Sequence, residues 1–486
     1  MSMPGSPGDG AARDGAAGEE TVTLLDVAGQ WTHRDRHQHH RFPIEVPAGT
    51  AELRVRFRWG PRDMGSDHEA NNLTLSLFGP AGYRGGAMRS RADQVITVGA
   101  MAASPGLVAG PVEPGTWTIN VDSHEILNDG AGTGHLTYRI EASARIGDDD
   151  AALPRPPSPS ATRRPPAGGP RWYRGNLHSH TVHSDGTYTV EERARVSAEF
   201  GLDFLAITDH NTISQHREVD RWPDGITPIR GCEVTTFHGH INCFGLSTPI
   251  DWRHDARGDG AAAIVDQAHR QNAIVSINHP SAFGDPWCSS CHWDYARADY
   301  STFDAIEIWN GGWADVETAN EGTLAFWTDL LDAGLRITGI AGTDSHSPKD
   351  DDDASLGSTY VHAADPSEAS IIDGIRRGRV LVSRGPMVSF RATGSDGVEV
   401  RLPGAEIPGD GRLRLSVNVE QLDRPATLWF VTSGSRVQLA TCEPTVDKVV
   451  NERELVASKW WRLELRAGSA ANGDLLALTN PVFISA

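Results

Sequence analysis

Apolar and polar residues alternate along this chain with two different periods, and the period switches twice. From about residue 21 to 147, segments such as AELRVRFRW (51–59), LTLSLFG (73–79), TWTINVD (116–122) and LTYRIEASA (136–144) repeat with a period near two, separated by Gly, Pro, Asn and Asp. That period places the apolar side chains on one face of a strand, so this region predicts a β-sandwich. Residues 148–170 are Pro, charge and small residues without apolar periodicity, which predicts a linker stiffened by its prolines. From Arg171 to Arg384 strand-like runs alternate with helical ones, the texture of βα units around a largely parallel sheet or barrel. Thr189 and Glu192 form a capping box before EERARVSAEF, Gly201 sits where a C-terminal cap belongs, and the strand FLAI follows. The pairs AAAIVDQAHRQ with AIVSI and TLAFWTDLLDAG with RITGIA repeat the unit. A last helix falls in DPSEASIIDGIRRG, with Asp365 as cap and Pro366 at the first helical position. In 385–486 the alternating period returns (RLRLSVNVE, ATLWFVTS, WWRLELRA), which predicts a small C-terminal β domain.

Length and charge narrow the reading. A chain of 486 residues exceeds the ~250–300 at which one hydrophobic core stops growing, so several domains are expected. A formal charge of -20 argues against nucleic acid or an anionic membrane as the main partner and leaves a small-molecule substrate as the expectation. No run approaches the ~20 apolar residues of a membrane span. Residues 1–20 have neither the basic start nor the apolar core of a targeting peptide, and are expected to be a disordered leader on a cytoplasmic protein. Five scattered cysteines fit a reducing compartment better than a disulfide scaffold. Cys288 and Cys291, followed by His292, read as a redox pair, part of a zinc site or a plain loop; without a second CxxC the plain loop is expected.

The chemistry gathers where predicted strands end. His178 and His180 follow the first strand; Asp209 and His210, Glu233, His279, then Asp344 and His346 follow later ones. In a β/α barrel these ends open onto one face, so residues far apart in sequence converge. In HSH and DSH the paired side chains lie two residues apart, on the same side of an extended segment. Imidazole with carboxylate suits Zn, Mn or Fe better than Ca or Mg. His183, His216, His238, His269, His292 and His362 are expected to be ordinary histidines, and His33, His37, His39 and His40 to form a solvated sandwich edge. Asp350 to Asp353 reads as a mobile acidic loop, and Trp287, Trp309 and Trp313 as either packing or an aromatic subsite near the mouth.

The ordered set HSH, SDG, TDH, GCE, NHP and GTDSH over residues 171–384 resembles the polymerase and histidinol phosphatase (PHP) family of metallohydrolases. The resemblance implies a distorted seven-stranded β/α barrel holding two or three divalent ions, flanked here by the sandwich and the C-terminal β domain. It implies His178, His180, Glu233 and Asp344 around a first ion, Glu233, His240 and His279 around a second, and Asp185, His210 and His346 around a third. His240 is taken over His238 because HINCFG is similar to the family's His-apolar-x-x-aromatic-Gly strand. IEIWNGG (306–312), GRVLVSRGP (378–386) and the trailing β domain look like the carbaryl-hydrolase branch.

The expected chemistry is hydrolysis by a metal-bound hydroxide, with a phosphoesterase acting on a small molecule as the first reading. A carboxylic ester, amide or carbamate hydrolase is the alternative, and a binding module with a vestigial site the third. Asp209 is the candidate to orient an imidazole or shuttle a proton, against a helix cap in its turn. Arg384 is the candidate to bind an anionic substrate group, against an inter-domain salt bridge.

Overall fold

The computed structural model describes residues 20–66, 69–88, 91–127, 135–147, 168–254, 260–285, 287–351, 356–444, 448–470 and 472–485. Residues 1–19, most of the Pro-rich stretch (148–167) and the end of the acidic run with the two residues after it (352–355) lie outside the described residues.

The alternating N-terminal segments form two four-stranded antiparallel sheets. One contains Glu20–Trp31, Leu136–Ile146, Thr50–Gly60 and Asp93–Gly99; the other contains Gln38–Val46, Gly115–Glu125, Asn72–Gly79 and Gly82–Ala87. Leu53, Val55 and Phe57 from the first and Leu75, Leu77, Trp117 and Ile119 from the second share one buried core, as alternation requires of a sandwich.

The central region is mixed α/β, with four α-helices among the described residues. The capping box holds: Thr189 accepts from Glu192 N at 3.2 Å, and the helix runs Val190–Glu199. In the last helix, Glu368–Arg376, the cap is Ser367 and not Asp365. Asp365 instead accepts from Ser367 N at 2.9 Å and so shapes the turn one step earlier.

A closed barrel of seven strands is not what the hydrogen bonds draw. Thr338–Gly342, Ala305–Asn310, Ile274–Ile277, His240–Phe244, Thr227–Thr235, Phe204–Ile207, Arg171–Asn176, Ser358–Ala363 and Val380–Ser383 lie side by side in that order. Neighbours are parallel within the groups 171/204/227 and 274/305/338 and antiparallel elsewhere. Between the first strand of this row, Thr338–Gly342, and Ser358–Ala363, side chains replace a ladder: Thr359 Oγ1 accepts from Ala341 N and donates to Ala341 O, both at 2.8 Å. Val380–Ser383 bonds onward to Leu475–Thr479, so the sheet continues into the C-terminal strands instead of closing. Ligand motifs report strand ends; they carry no information about which edge each strand bonds to. No helix among the described residues is long and apolar enough to cross a membrane.

Candidate metal centre

Strand ends deliver the polar residues to one place. Arg171–Asn176 leads into His178 and His180, Thr227–Thr235 carries Glu233, and Thr338–Gly342 leads into Asp344 and His346. An isolated parallel bridge between Ser179 and Ser345 pins the first and last of these segments together. Gly342 is required where they meet, because a Cβ there would lie 2.3 Å from His178 Cβ and 2.5 Å from Glu307 Oε1. Asp344 (φ 52°) and His279 (φ 25°) adopt positive φ without being glycine, a strained backbone of the kind that gathers at functional sites.

Among the described residues five overlapping groups of potential ligand atoms result, each within 4.8 Å: His178, His180, Glu233 and Asp344; His180, Asp185, His210 and His346; His210, Glu233 and His240; His178, His279 and Glu307; and His240, His279 and Cys291. Glu233 is the hub. Its Oε2 lies 3.2 Å from His178 Nε2, 3.3 Å from His180 Nε2 and 2.9 Å from His210 Nδ1, and its Oε1 lies 3.1 Å from His240 Nδ1 and 3.3 Å from His279 Nε2. His178 Nε2, Glu233 Oε2 and His279 Nδ1 are buried without a hydrogen-bond partner among the described groups. Orphaned polar atoms are costly in an interior, and His178 Nε2 facing Glu233 Oε2 at 3.2 Å fits a bound cation, whose ligands they would be. His240 joins these groups, whereas His238 lies among His37 and Tyr295.

The electrostatics agree. Burial alone would raise the Glu233 carboxyl, but His178, His210 and His240 hold it well below the usual carboxylate range. Burial likewise opposes the charged His346, yet Asp185 and Asp344 push it up to about 10.

Residues 176–323 match the PHP domain family. The 5'-3' exoribonuclease Rnm of Salmonella typhimurium is 32% identical over 107 residues, 21% of this chain and 36% of that protein. The DNA polymerase/3'-5' exonuclease PolX of Bacillus subtilis is 27% identical over 117 residues, 23% of this chain and 19% of that protein. The chain thus spans about a third or less of the curated relatives it matches. A solved two-domain protein from Bacteroides vulgatus, described as containing a PHP-like metal-dependent phosphoesterase, is similar over 66% of this chain and 98% of its own at 18% identity, with a TM-score of 0.37. The family match and the two curated relatives carry the PHP resemblance but not its carbaryl-hydrolase branch. Two of the relatives are named for action on nucleic acid, so the expectation that nucleic acid is excluded finds no support in them.

Other sequence candidates land elsewhere. Asp209 is buried with both oxygens engaged: Thr181 N, Ser184 N and Ser184 Oγ donate to Oδ1 and Thr181 Oγ1 to Oδ2, all within 2.6–3.1 Å. Its oxygens bond no imidazole directly and cap no described helix; they fix the loop that carries His180 and Asp185, and Ser184 Oγ, which donates to Oδ1, lies 3.5 Å from His180 Nδ1. Arg384 does not line the cavity and pairs with Asp423 at 3.2 Å, the inter-domain salt bridge. Trp309 and Trp313 pack on each other at 5.0 Å in the core, and Trp287 is 63% exposed. His37 and His39 are not a solvated edge: both stack on Phe237 of the central region, and His39 Nδ1 lies 2.6 Å from Asp122.

Sequence reasoning missed residues that the fold brings in. Glu307 Oε1 lies 2.9 Å from His178 Nδ1, and its Oε2 accepts from His279 N at 3.2 Å. The sign was present, a lone carboxylate in the apolar run AIEIW. The cavity of about 770 Å³ above the centre is walled on one side by Arg62, Asn72, Met88 and Arg91 of the sandwich, and nothing in their local sequence could have indicated it. Cys288 and Cys291 also line it, joined as a disulfide, so the CxxC is not a plain loop.

Proposed function

We propose that this chain is a metal-dependent hydrolase of the PHP type that acts on phosphoesters of small molecules. The observation that carries the proposal is the opening of the Glu233-centred ligand groups onto a cavity whose outer wall holds Arg62 and Arg91. His178, His180, Glu233 and Asp344 would hold one ion, Glu233, His240 and His279 a second, and Asp185, His210 and His346 a third. When bound, such ions polarise a phosphoryl oxygen and make water a nucleophile near neutral pH.

The chain's own residues do the rest. Arg62 and Arg91 give an anionic group cationic hydrogen-bond donors, which a neutral ester does not need. Glu307 orients His178, and Asn278 Nδ2 donates to Glu233 Oε1 at 2.9 Å, so the hub carboxylate keeps its position. A cavity of this size suits a small ligand. Among its described lining residues there is no Phe, Tyr or Trp to receive the aromatic leaving group that the carbaryl-hydrolase resemblance implies.

The test compares p-nitrophenyl phosphate and bis-p-nitrophenyl phosphate with 1-naphthyl acetate and a naphthyl carbamate at one metal loading. Phosphoester turnover is expected. Turnover of the carboxyl compounds without the phosphates would overturn the proposal, and a strong preference for a short oligonucleotide would move the substrate from small molecule to nucleic acid.

A further inference from the structure

Of the five cysteines, Cys232, Cys243 and Cys442 are buried, while Cys288 and Cys291 form a disulfide in the wall of the site. The two sulfurs of that pair face different surroundings. Cys288 is exposed, whereas Cys291 is only 5% exposed and lies within 4.8 Å of a ring nitrogen of both His240 and His279. The loop between them is gripped from both sides: Ser289 O lies 3.2 Å from His240 Nε2, and Ser289 Oγ accepts from Asn72 Nδ2 of the sandwich at 2.7 Å. Asp285 accepts from Ser290 N at 2.8 Å and pairs with Arg36 of the sandwich at 2.8 Å, which holds the loop over the two histidines.

We infer that Cys291 is a redox-gated metal ligand: reduction of the Cys288–Cys291 disulfide releases a thiolate that completes an ion site with His240 and His279. The inference rests on the metal-centre reading above. The reductant is a dithiol. One of its thiolates attacks the accessible Cys288 sulfur, the S–S bond breaks, and Cys291 leaves as thiolate toward the histidines. The second thiol of the reductant then attacks the mixed disulfide, releasing Cys288 as a thiol and leaving the reductant as a disulfide. Two electrons pass to the protein. Thiolate with imidazole suits Zn and Co(II), and in the oxidised form the same sulfur is tied into a bond and offers no anionic ligand.

The test uses the full chain loaded with Co(II), where sulfur ligation gives a near-ultraviolet thiolate-to-cobalt band. Wild-type protein should show the band only after anaerobic treatment with a dithiol. Cys288→Ser should show it without reductant, since its Cys291 has no partner, and Cys291→Ser should never show it. Zinc affinity at the weakest site, read by chelator competition, should fall at least about 10-fold on oxidation of wild type and stay constant in both variants. Cobalt bound with no sulfur band in reduced wild type and in Cys288→Ser defeats this inference alone. The same is true of a band that persists in Cys291→Ser. No cobalt bound in any form defeats the metal centre itself.

Discussion

The two β-rich regions of this protein are built from the same alternating strands and attach to the central region in opposite ways. The C-terminal region joins by backbone: Leu475–Thr479 pairs with Val380–Ser383, and Asn480 brackets Gly339 with bonds of 2.7 and 2.8 Å. Behind that seam Glu464 is buried among Arg462, Arg466 and Arg436 at 2.6–2.9 Å, and Arg466 reaches Glu321 on the helix Asn320–Asp332. None of this region's described residues lines the cavity of the metal centre. The N-terminal sandwich keeps its own sheets and docks by side chains, chiefly Arg253 against Asp122 at 2.9 Å with both groups buried. Its loops supply Arg62, Met88 and Arg91 to the cavity, and the start of the strand Asn72–Gly79 supplies Asn72. A shared ladder anchors a domain rigidly, whereas side-chain docking leaves the cavity wall free of the central ladder; the comparison predicts that stability and selectivity are carried by different ends of the chain.

The largest expected effect breaks the C-terminal anchor. Glu464→Gln leaves three arginines around an uncharged amide, and chemical denaturation should show a loss of about 3–5 kcal/mol. The KM for p-nitrophenyl phosphate should not move; a KM change as large as the stability change would mean that this end also shapes the site. The same carboxylate sets an acid limit. Burial opposes its charge, but the arginines lower its pKa to about 2. A depressed folded value contributes stability that is complete above the unfolded carboxylate range near ~4.5 and is lost as pH falls toward that of the folded group, on the order of 3 kcal/mol. Wild type should lose that increment between about pH 5 and 2, and Glu464→Gln should not.

Next in size is the scaffold that both ends flank. Glu307→Gln removes the anion that orients His178, and zinc affinity by chelator competition should fall about 10–100-fold with an unchanged unfolding midpoint. Retention of full affinity would reduce Glu307 to packing. On the N-terminal side, Arg62→Ala or Arg91→Ala should raise KM for phosphoesters about 10-fold with kcat nearly constant, the loss of one charge-assisted hydrogen bond. An unaltered KM in both would make the sandwich a lid without selectivity. The smallest effect belongs to Arg384→Ala. Its partner Asp423 is half exposed, so stability should change by at most ~1 kcal/mol and kcat/KM not at all; a large drop in kcat/KM would return Arg384 to the site.

Much of the centre was legible because its ligands are tied to strand ends, and strand ends are visible as the close of an apolar run. HSH, TDH, GCE, NHP and DSH needed no tertiary information to be placed on one rim. Glu307 was legible in principle as a charge inside AIEIW, but a buried carboxylate has meaning only once its partner is known, and His178 lies 129 residues away. Asp209 shows the converse. Its position beside His210 suggested an imidazole partner, yet its side chain turns to the Thr181–Ser184 loop because four donors wait there.

The sequence by itself determined the periods, and with them the two β textures, the α/β middle, the capped helix at Val190 and the order of the ligand motifs. These are local properties, set by side-chain spacing along a few turns or strands. Only the tertiary structure decided that the strand Thr338–Gly342 is bridged by Thr359 and Asn480 side chains, that the sheet runs on into the C-terminal strands, and that the sandwich faces the cavity with its arginines. It also decided that Cys291 lies beside His240 and His279. Each of these depends on which surfaces dock, and docking is fixed by the summed burial and pairing of residues far apart in sequence, such as Arg253 and Asp122 at a separation of 131, which no local period encodes.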